Sequence, residues 1–282
     1  MLVRKLAKLP FLGNMLKLPP VVTVIRLEGV IGSGQPRRSL THKTLEPLLK
    51  KAFTVPGVQA VALSINSPGG SPAQSSLIAK EIRRQAQENE MPVIAFVEDV
   101  AASGGYWLAC AANEIYADEN AIVGSIGVIA ASFGLHDLIQ RIGVERRIFT
   151  AGENKSMLDT FRPTKEEDIQ RLEGVLNGLH RNFIDQVKSS RGAKLMADDE
   201  TLFQGDFWLA GMAESLGLID GMDDLQAHMK RRFGESVKLQ PIMPKKPLFA
   251  PPWESRSAWP EGTVDTLLAT LDERSARARF GL

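Results

Sequence analysis

Short apolar runs alternate with longer stretches of helical periodicity through the first half of the chain. Residues 21–27 form a β-rich opening after Pro19-Pro20. Gly29, Gly32, Gly34 and Pro36 then mark a loop, and residues 40–52 read as a helix. Residues 58–65 are almost wholly apolar and short enough for a buried parallel strand, which ends in the tight loop Asn66-Ser67-Pro68-Gly69-Gly70-Ser71-Pro72. A helix to about Gln87 and a second buried strand at 92–97 follow. That strand is expected to break at Glu98-Asp99-Val100-Ala101-Ala102-Ser103-Gly104-Gly105, ahead of a small-residue helix over 106–112.

Further strands are predicted at 114–117, 122–131 and 144–150. Strands alternating with helices specify an α/β architecture with a largely parallel sheet. Thr164 with Glu167 reads as a capping box opening a long helix. Its apolar positions Ile169, Leu172, Val175, Leu176, Leu179, Phe183 and Val187 keep helical spacing up to a stop at Gly192, and the stripe is read as core packing or subunit contact. Pro241, Pro244, Pro247, Pro251 and Pro252 then make a linker over about 239–260, before a short amphipathic helix at 264–279. The chain therefore divides into a basic arm (1–20), one α/β domain (21–238) and a proline-rich extension (239–282).

Composition narrows the function classes. The chain has 282 residues, enough for a full α/β core, and its 44% apolar and 24% charged content is that of an ordinary globular protein. A net charge of +1 gives no reason to expect a nucleic-acid partner. The single cysteine, Cys110, excludes an internal disulfide framework and a multi-cysteine zinc site, and favours a reducing compartment. No stretch approaches the ~20 apolar residues that span a bilayer. The arm carries Arg4, Lys5, Lys8 and Lys17, interleaved with apolar residues and interrupted by Pro10 and Gly13, unlike a secretory signal. It reads as a solvated or partner-bound arm, with peripheral contact to an anionic membrane surface as the alternative.

Candidate chemistry centres on Ser103, at a strand-to-helix junction between Ala102 and Gly104-Gly105. Small neighbours let the backbone turn sharply and let a carbonyl approach the hydroxyl, as a nucleophile requires. Ser67-Pro68-Gly69-Gly70 also closes a strand, at the sheet end where α/β proteins bind ligands. Each turn alone is equally readable as plain turn or cap chemistry. Together they offer an oxyanion hole with one N–H each from Gly70 and Gly104. For a base, His42, His136, His180 and His228 read as structural or solvated, and His136-Asp137 are adjacent residues that do not face each other on a helix. A lysine with a pKa lowered by burial is the other candidate.

The ordered set Ser67-Pro68-Gly69-Gly70, Ala102-Ser103-Gly104-Gly105-Tyr106, Gly124-Ser125-Ile126-Gly127-Val128 and Gly152-Glu153-Asn154-Lys155-Ser156-Met157 resembles the signal peptide peptidase A and SohB family. Asp206-Phe207-Trp208, Ala213 and Gly217-Leu218-Ile219-Asp220 extend the match, which covers about 21–233. The resemblance implies a caseinolytic-protease/crotonase-like fold and an ATP-independent serine peptidase, with no metal or cofactor. It implies Ser103 as acyl-enzyme nucleophile, Lys155 as base, Ser125 as the hydroxyl that orients the lysine, and Gly70 and Gly104 as oxyanion donors. It also implies peptide or unfolded-protein substrates, including signal-peptide remnants, and a homo-oligomer in which serine and lysine meet across a subunit interface. A cytoplasmic location, peripheral at the inner face of the membrane, is expected. Departures are the missing membrane-spanning helix, a single copy of the domain, and a tail beyond Leu239 that the resemblance does not cover.

Three rivals remain. An acyl-CoA hydratase or isomerase shares the fold and would need carboxylates such as Glu98 and Asp99 near the thioester. A non-catalytic assembly protein of the same fold needs no Ser/Lys pair. A Ser/His/Asp peptidase would run through His136.

Overall fold

In the computed structural model, residues 19–32, 40–244, 278 and 280 are described. The apolar runs become the centre of an eight-stranded sheet, ordered β6-β5-β3-β2-β1-β8, with β4 and β7 extending from β3. Its first three strands are β1 (Val21–Glu28), β2 (Val58–Ser67) and β3 (Val93–Ala102). The short strands are β4 (Glu114–Ala117), β5 (Ile122–Gly124), β6 (Phe207–Leu209), β7 (Gly221–Met222) and β8 (Lys238–Pro241). Every pairing is parallel except β5 with β6. The predicted α/β class with a largely parallel sheet is what forms.

Central strands lose nearly all side-chain contact with water, which is why β2 and β3 read as continuous apolar runs. One face packs under α1 (His42–Thr54), α2 (Pro72–Glu88) and α3 (Gly104–Ala109) in the main core, with Leu49, Phe53, Ile78, Ile82 and Leu108 fully buried. The other face is covered by α8 (Leu225–Phe233), whose Met229 seats on Val22, Ala60, Ala62, Ile94 and Phe96. Between α3 and α8 the chain adds α4 (His136–Arg141), α5 (Glu166–Arg191), α6 (Asp199–Leu202) and α7 (Ala210–Ser215).

Several boundaries differ from expectation. β3 does not break at Glu98: it first pairs β4 through Ile94–Val97 and then β5 through Val100–Ala102, so fresh partners take up its backbone hydrogen bonds. β8 pairs β1 from Val21↔Lys238 to Val24↔Pro241, so the sheet runs past the expected boundary at 238. The long helix starts on Lys165 with no side-chain cap, and the Thr164/Glu167 capping box does not form. Acidic residues Glu166, Glu167 and Asp168 fill its first turn instead, a favourable arrangement at a helix N-terminus. Gly192 ends it at φ 49.

The largest departure is residues 125–165. The strands expected through 131 and at 144–150 are absent, and this arm has only α4 as a regular element of its own. Among the described residues it pairs with no strand of the sheet, and several of its apolar residues face outward: Ile129 is 67% exposed, Val144 52% and Phe149 93%. Only the distal part of the α5 stripe packs, through Phe183 and Val187, whereas Val175 remains 58% exposed. The basic arm through residue 18, most of the linker and, apart from Ala278, the helix expected at 264–279 lie outside the described residues.

Candidate active site

Ser103 sits where β3 hands over to α3, at φ 51 and ψ −122. A positive φ in a residue with a Cβ is unfavourable and persists only where surroundings fix it; such positions cluster at functional sites. Here the Ser103 N–H donates to the Gly124 carbonyl at 2.8 Å, and its carbonyl accepts from Trp107 N–H at 3.0 Å. The side chain makes no cap, so the hydroxyl is left for other work.

The second loop, after β2, is zipped to residues 29–31. Gly29 N–H donates to Asn66 O at 3.0 Å, Ile31 N–H to Gly69 O and Ser71 N–H to Ile31 O, both at 2.8 Å. Ser67 Oγ donates to Gly29 O at 2.7 Å. Gly70 is obligatory in this clasp: its φ is +143 and a Cβ there would stand 2.1 Å from Ile31 O. A Cβ on Gly104 would stand 3.3 Å from Gly70 N, so the two amides are neighbours. Among the described residues, neither N–H has a hydrogen-bond acceptor. Two unengaged amides beside a serine hydroxyl suit an oxyanion.

Ser103, Gly70, Gly104 and Ser125 line one cavity of about 420 Å³. Ser125 reaches it from the end of β5, at φ 52, with its N–H donating to Asp206 O at 2.6 Å. The floor is apolar, with Trp107 and Phe183 stacked at 4.9 Å between ring centres. Among the described residues that line it, none is a histidine, a carboxylate or another ionisable side chain. Sequence reasoning missed Trp107 and Phe183 as site residues. Trp107 directly follows the quoted serine motif and Phe183 belongs to the helical stripe, so the signal was present and was assigned to packing.

Lys155 is not brought to this cavity. It is exposed on the 125–165 arm, where it lines a separate concavity with Arg146, Ile148 and Thr150, and the burial expected for a tuned base is not found in a single chain. His136 lies outside the cavity as well, and its Nε2 is 3.2 Å from Asp137 Oδ1, so the neighbours do meet, contrary to expectation. His180 instead contacts Ile126 O at 3.1 Å. Glu98 accepts hydrogen bonds from Ser64 and Arg26, and Asp99 from Asn66, on a different concavity. Carboxylates for a hydratase are therefore absent from the serine cavity. No group of His, Cys, Asp and Glu able to hold a metal occurs among the described residues.

A serine at a strand-to-helix turn with paired amides at one cavity on an α/β sheet is an arrangement that serine hydrolases use. The family model described as Peptidase family S49 matches residues 85–236. Protease 4 of Haemophilus influenzae is 33% identical over 218 residues, which cover 76% of this chain and 35% of that protein. A protein of Brucella abortus named Na(+)/H(+) antiporter NhaA is 46% identical over 272 residues, 93% of this chain and 37% of that one. A serine-to-alanine mutant of the 1510-N membrane-bound stomatin-specific protease is similar in structure, at 16% identity and a TM-score of 0.48, over 81% of this chain and all of that one. The chain belongs to peptidase family S49, the serine peptidases that include signal peptide peptidase A and SohB.

This chain spans little more than a third of the length of the Brucella and Haemophilus relatives. An alignment over 93% of this chain necessarily includes residues 85–236, so the shared part of the Brucella protein is its S49 part. No helix among the described residues is long and apolar enough to cross a membrane.

Proposed function

We propose that this chain hydrolyses peptides without ATP through an acyl-enzyme on Ser103, with Lys155 of a neighbouring copy as general base. The supporting observation is the convergence of Ser103, held at positive φ, with the unengaged N–H groups of Gly70 and Gly104 at one uncharged cavity. Ser103 Oγ attacks the scissile carbonyl while Lys155 Nζ takes its proton, and the amides hold the oxyanion. Lys155 then returns the proton to the leaving amine, and water, deprotonated the same way, releases the acid. Ser125, on the wall of that cavity, is the hydroxyl that positions the incoming neutral amine of Lys155. The apolar lining suits extended apolar peptides, including signal-peptide remnants and membrane-protein segments.

Two observations favour a shared site. Lys155 is exposed and lines another concavity in the single chain, and its arm carries apolar side chains that are exposed among the described residues. A second copy docking on this arm would bury both. Labelling with a fluorophosphonate probe, read alongside size exclusion, tests the reading. Wild-type oligomer should label, and Ser103→Ala and Lys155→Ala should not. An assembled wild type that resists the probe overturns it.

A further inference from the structure

We propose that His180 is a positioning residue of the active site: by holding the Ile126 carbonyl it fixes the turn that presents Ser125 to the serine cavity. The inference rests on the reading that Ser125 orients a catalytic lysine. β5 ends at Gly124, and residues 125–127 belong to no strand. Ser125 stands at φ 52, a conformation that a residue with a Cβ keeps only where its surroundings impose it. Three polar contacts fix the turn. Ser125 N–H donates to Asp206 O at 2.6 Å, Gly127 N–H donates back to Ser125 O at 2.9 Å, and His180 Nε2 meets Ile126 O at 3.1 Å. Ile126 is fully buried, and a buried carbonyl without a partner is costly. Among the described residues no backbone N–H donates to it, so the imidazole supplies the bond.

The long helix puts His180 where this bond can matter. Leu179 and Phe183 of α5 line the cavity, with Phe183 stacked on Trp107, and His180 lies between them in sequence. One helix therefore walls the cavity and ties down the turn that carries Ser125. His180 is not itself among the described lining residues, so it acts on the turn and not on a bound peptide. A carbonyl only accepts, so Nε2 carries a hydrogen, as it does both in one neutral tautomer and in the imidazolium. The ring holds the turn without taking or giving a proton, which sets it apart from a general base. Without the bond, the left-handed backbone at Ser125 is free to relax and carry its hydroxyl away from the cavity wall.

The test reads the turn and the chemistry separately, in wild type and in His180→Gln, His180→Asn and His180→Leu. Glutamine places an amide nitrogen close to the position of Nε2, asparagine falls short by a methylene, and leucine has no donor. By hydrogen exchange and mass spectrometry, the leucine and asparagine variants should exchange the amides of 125–127 about tenfold faster, with β2 and β3 unchanged. His180→Gln should exchange like wild type. On an apolar fluorogenic peptide, the leucine and asparagine variants should lose about tenfold in kcat, the scale of one ordinary hydrogen bond, with KM within about twofold. His180→Gln should restore kcat. Added to Ser125→Ala, His180→Leu should cost nothing more, because both changes act through one hydroxyl. Unchanged exchange at 125–127, losses that multiply in the double variant, or a glutamine that fails to restore kcat overturns the proposal. So does faster exchange across the whole domain, since His180 is then a general structural residue. A wild type that resists a fluorophosphonate probe would sink the peptidase reading, and exchange alone then decides whether His180 holds the turn.

Discussion

A methyl group on Gly104 would stand 3.3 Å from the Gly70 amide nitrogen, although Gly70 lies in the loop after β2 and Gly104 opens α3 after β3. The same methyl would stand 2.5 Å from Ser75 Oγ. Gly104→Ala is therefore expected to lower the melting temperature and abolish turnover. Adding Ser75→Ala removes the closest clash and should recover much of the melting temperature. Turnover should stay depressed about 100- to 1000-fold, the cost of disabling an oxyanion donor, because the methyl still crowds the Gly70 N–H. Recovery of both together would show that the mouth between the glycines is not where charge develops.

Separating Ser103 from Lys155 onto different chains gives a second prediction. Ser103→Ala and Lys155→Ala enzymes should each be inactive, with turnover reduced at least about a thousandfold. Unfolded together and co-refolded, they should regain about a quarter of wild-type activity, as random pairing around a symmetric assembly gives a quarter of sites both groups. Co-refolded oligomers with no activity would place the two groups on one chain.

Phe149, 93% exposed, is the plainest mark of an uncovered arm. Phe149→Asp should leave far-UV circular dichroism and the core melting transition unchanged, because the ring is 93% exposed among the described residues. Size exclusion should move to smaller species and peptidase activity should fall with it. An unchanged oligomer would remove the arm from the interface.

Asp220 anchors the loop after α7 to the rest of the fold. It accepts from the buried Arg191 at 2.7 and 3.2 Å, from Lys194 at 2.6 Å and from Ile115 N–H at 2.8 Å. Burial by itself would raise its carboxyl, and the bonds from Arg191, Lys194 and Ile115 outweigh it, holding the pKa below 3.8. A depressed folded value contributes stability above pH 3.8, lost as pH falls through the folded value. Asp220→Ala should cost about 3–5 kcal/mol at pH 7, since it strands Arg191 in the core. The gap to wild type, followed by denaturant melts, should narrow below about pH 4. A gap that is constant with pH would mean the carboxylate charge contributes nothing.

Much of this molecule is legible in its sequence, and the illegible part has one physical origin. Strands β1, β2 and β4 and the helix at 72–88 were readable because their apolar periodicity is satisfied inside one chain. Ser103, Gly70, Gly104 and Ser125, which line one cavity, could be singled out only as parts of an ordered set of motifs, because each turn by itself reads equally well as plain turn or cap chemistry. Residues 122–131 and 144–150 carry strand-like composition, yet strands need neighbours, and among the described residues they find none beyond Gly124. The extent of β3 was missed because Glu98 and Asp99 look like a loop, while Ser64, Arg26 and Asn66 pair with them on the strand surface. Phe280 had no signal at all: its contact with Phe207 spans the sequence from β6 to the tail, a separation that no local pattern encodes.

The sheet register has a last consequence. Gly70 follows β2 and Ser103 follows β3, and these strands are paired from Val61↔Val93 to Ser67↔Ala101 with one irregularity after Ile65. A slip of one residue would displace one loop by about 3.3 Å relative to the other and turn its side chains to the opposite face. That exceeds what an amide can bridge to an oxyanion. On the proposed mechanism, catalytic competence is thus a certificate of correct assembly: a nascent or misregistered chain would carry every reactive group and still be unable to cut a peptide.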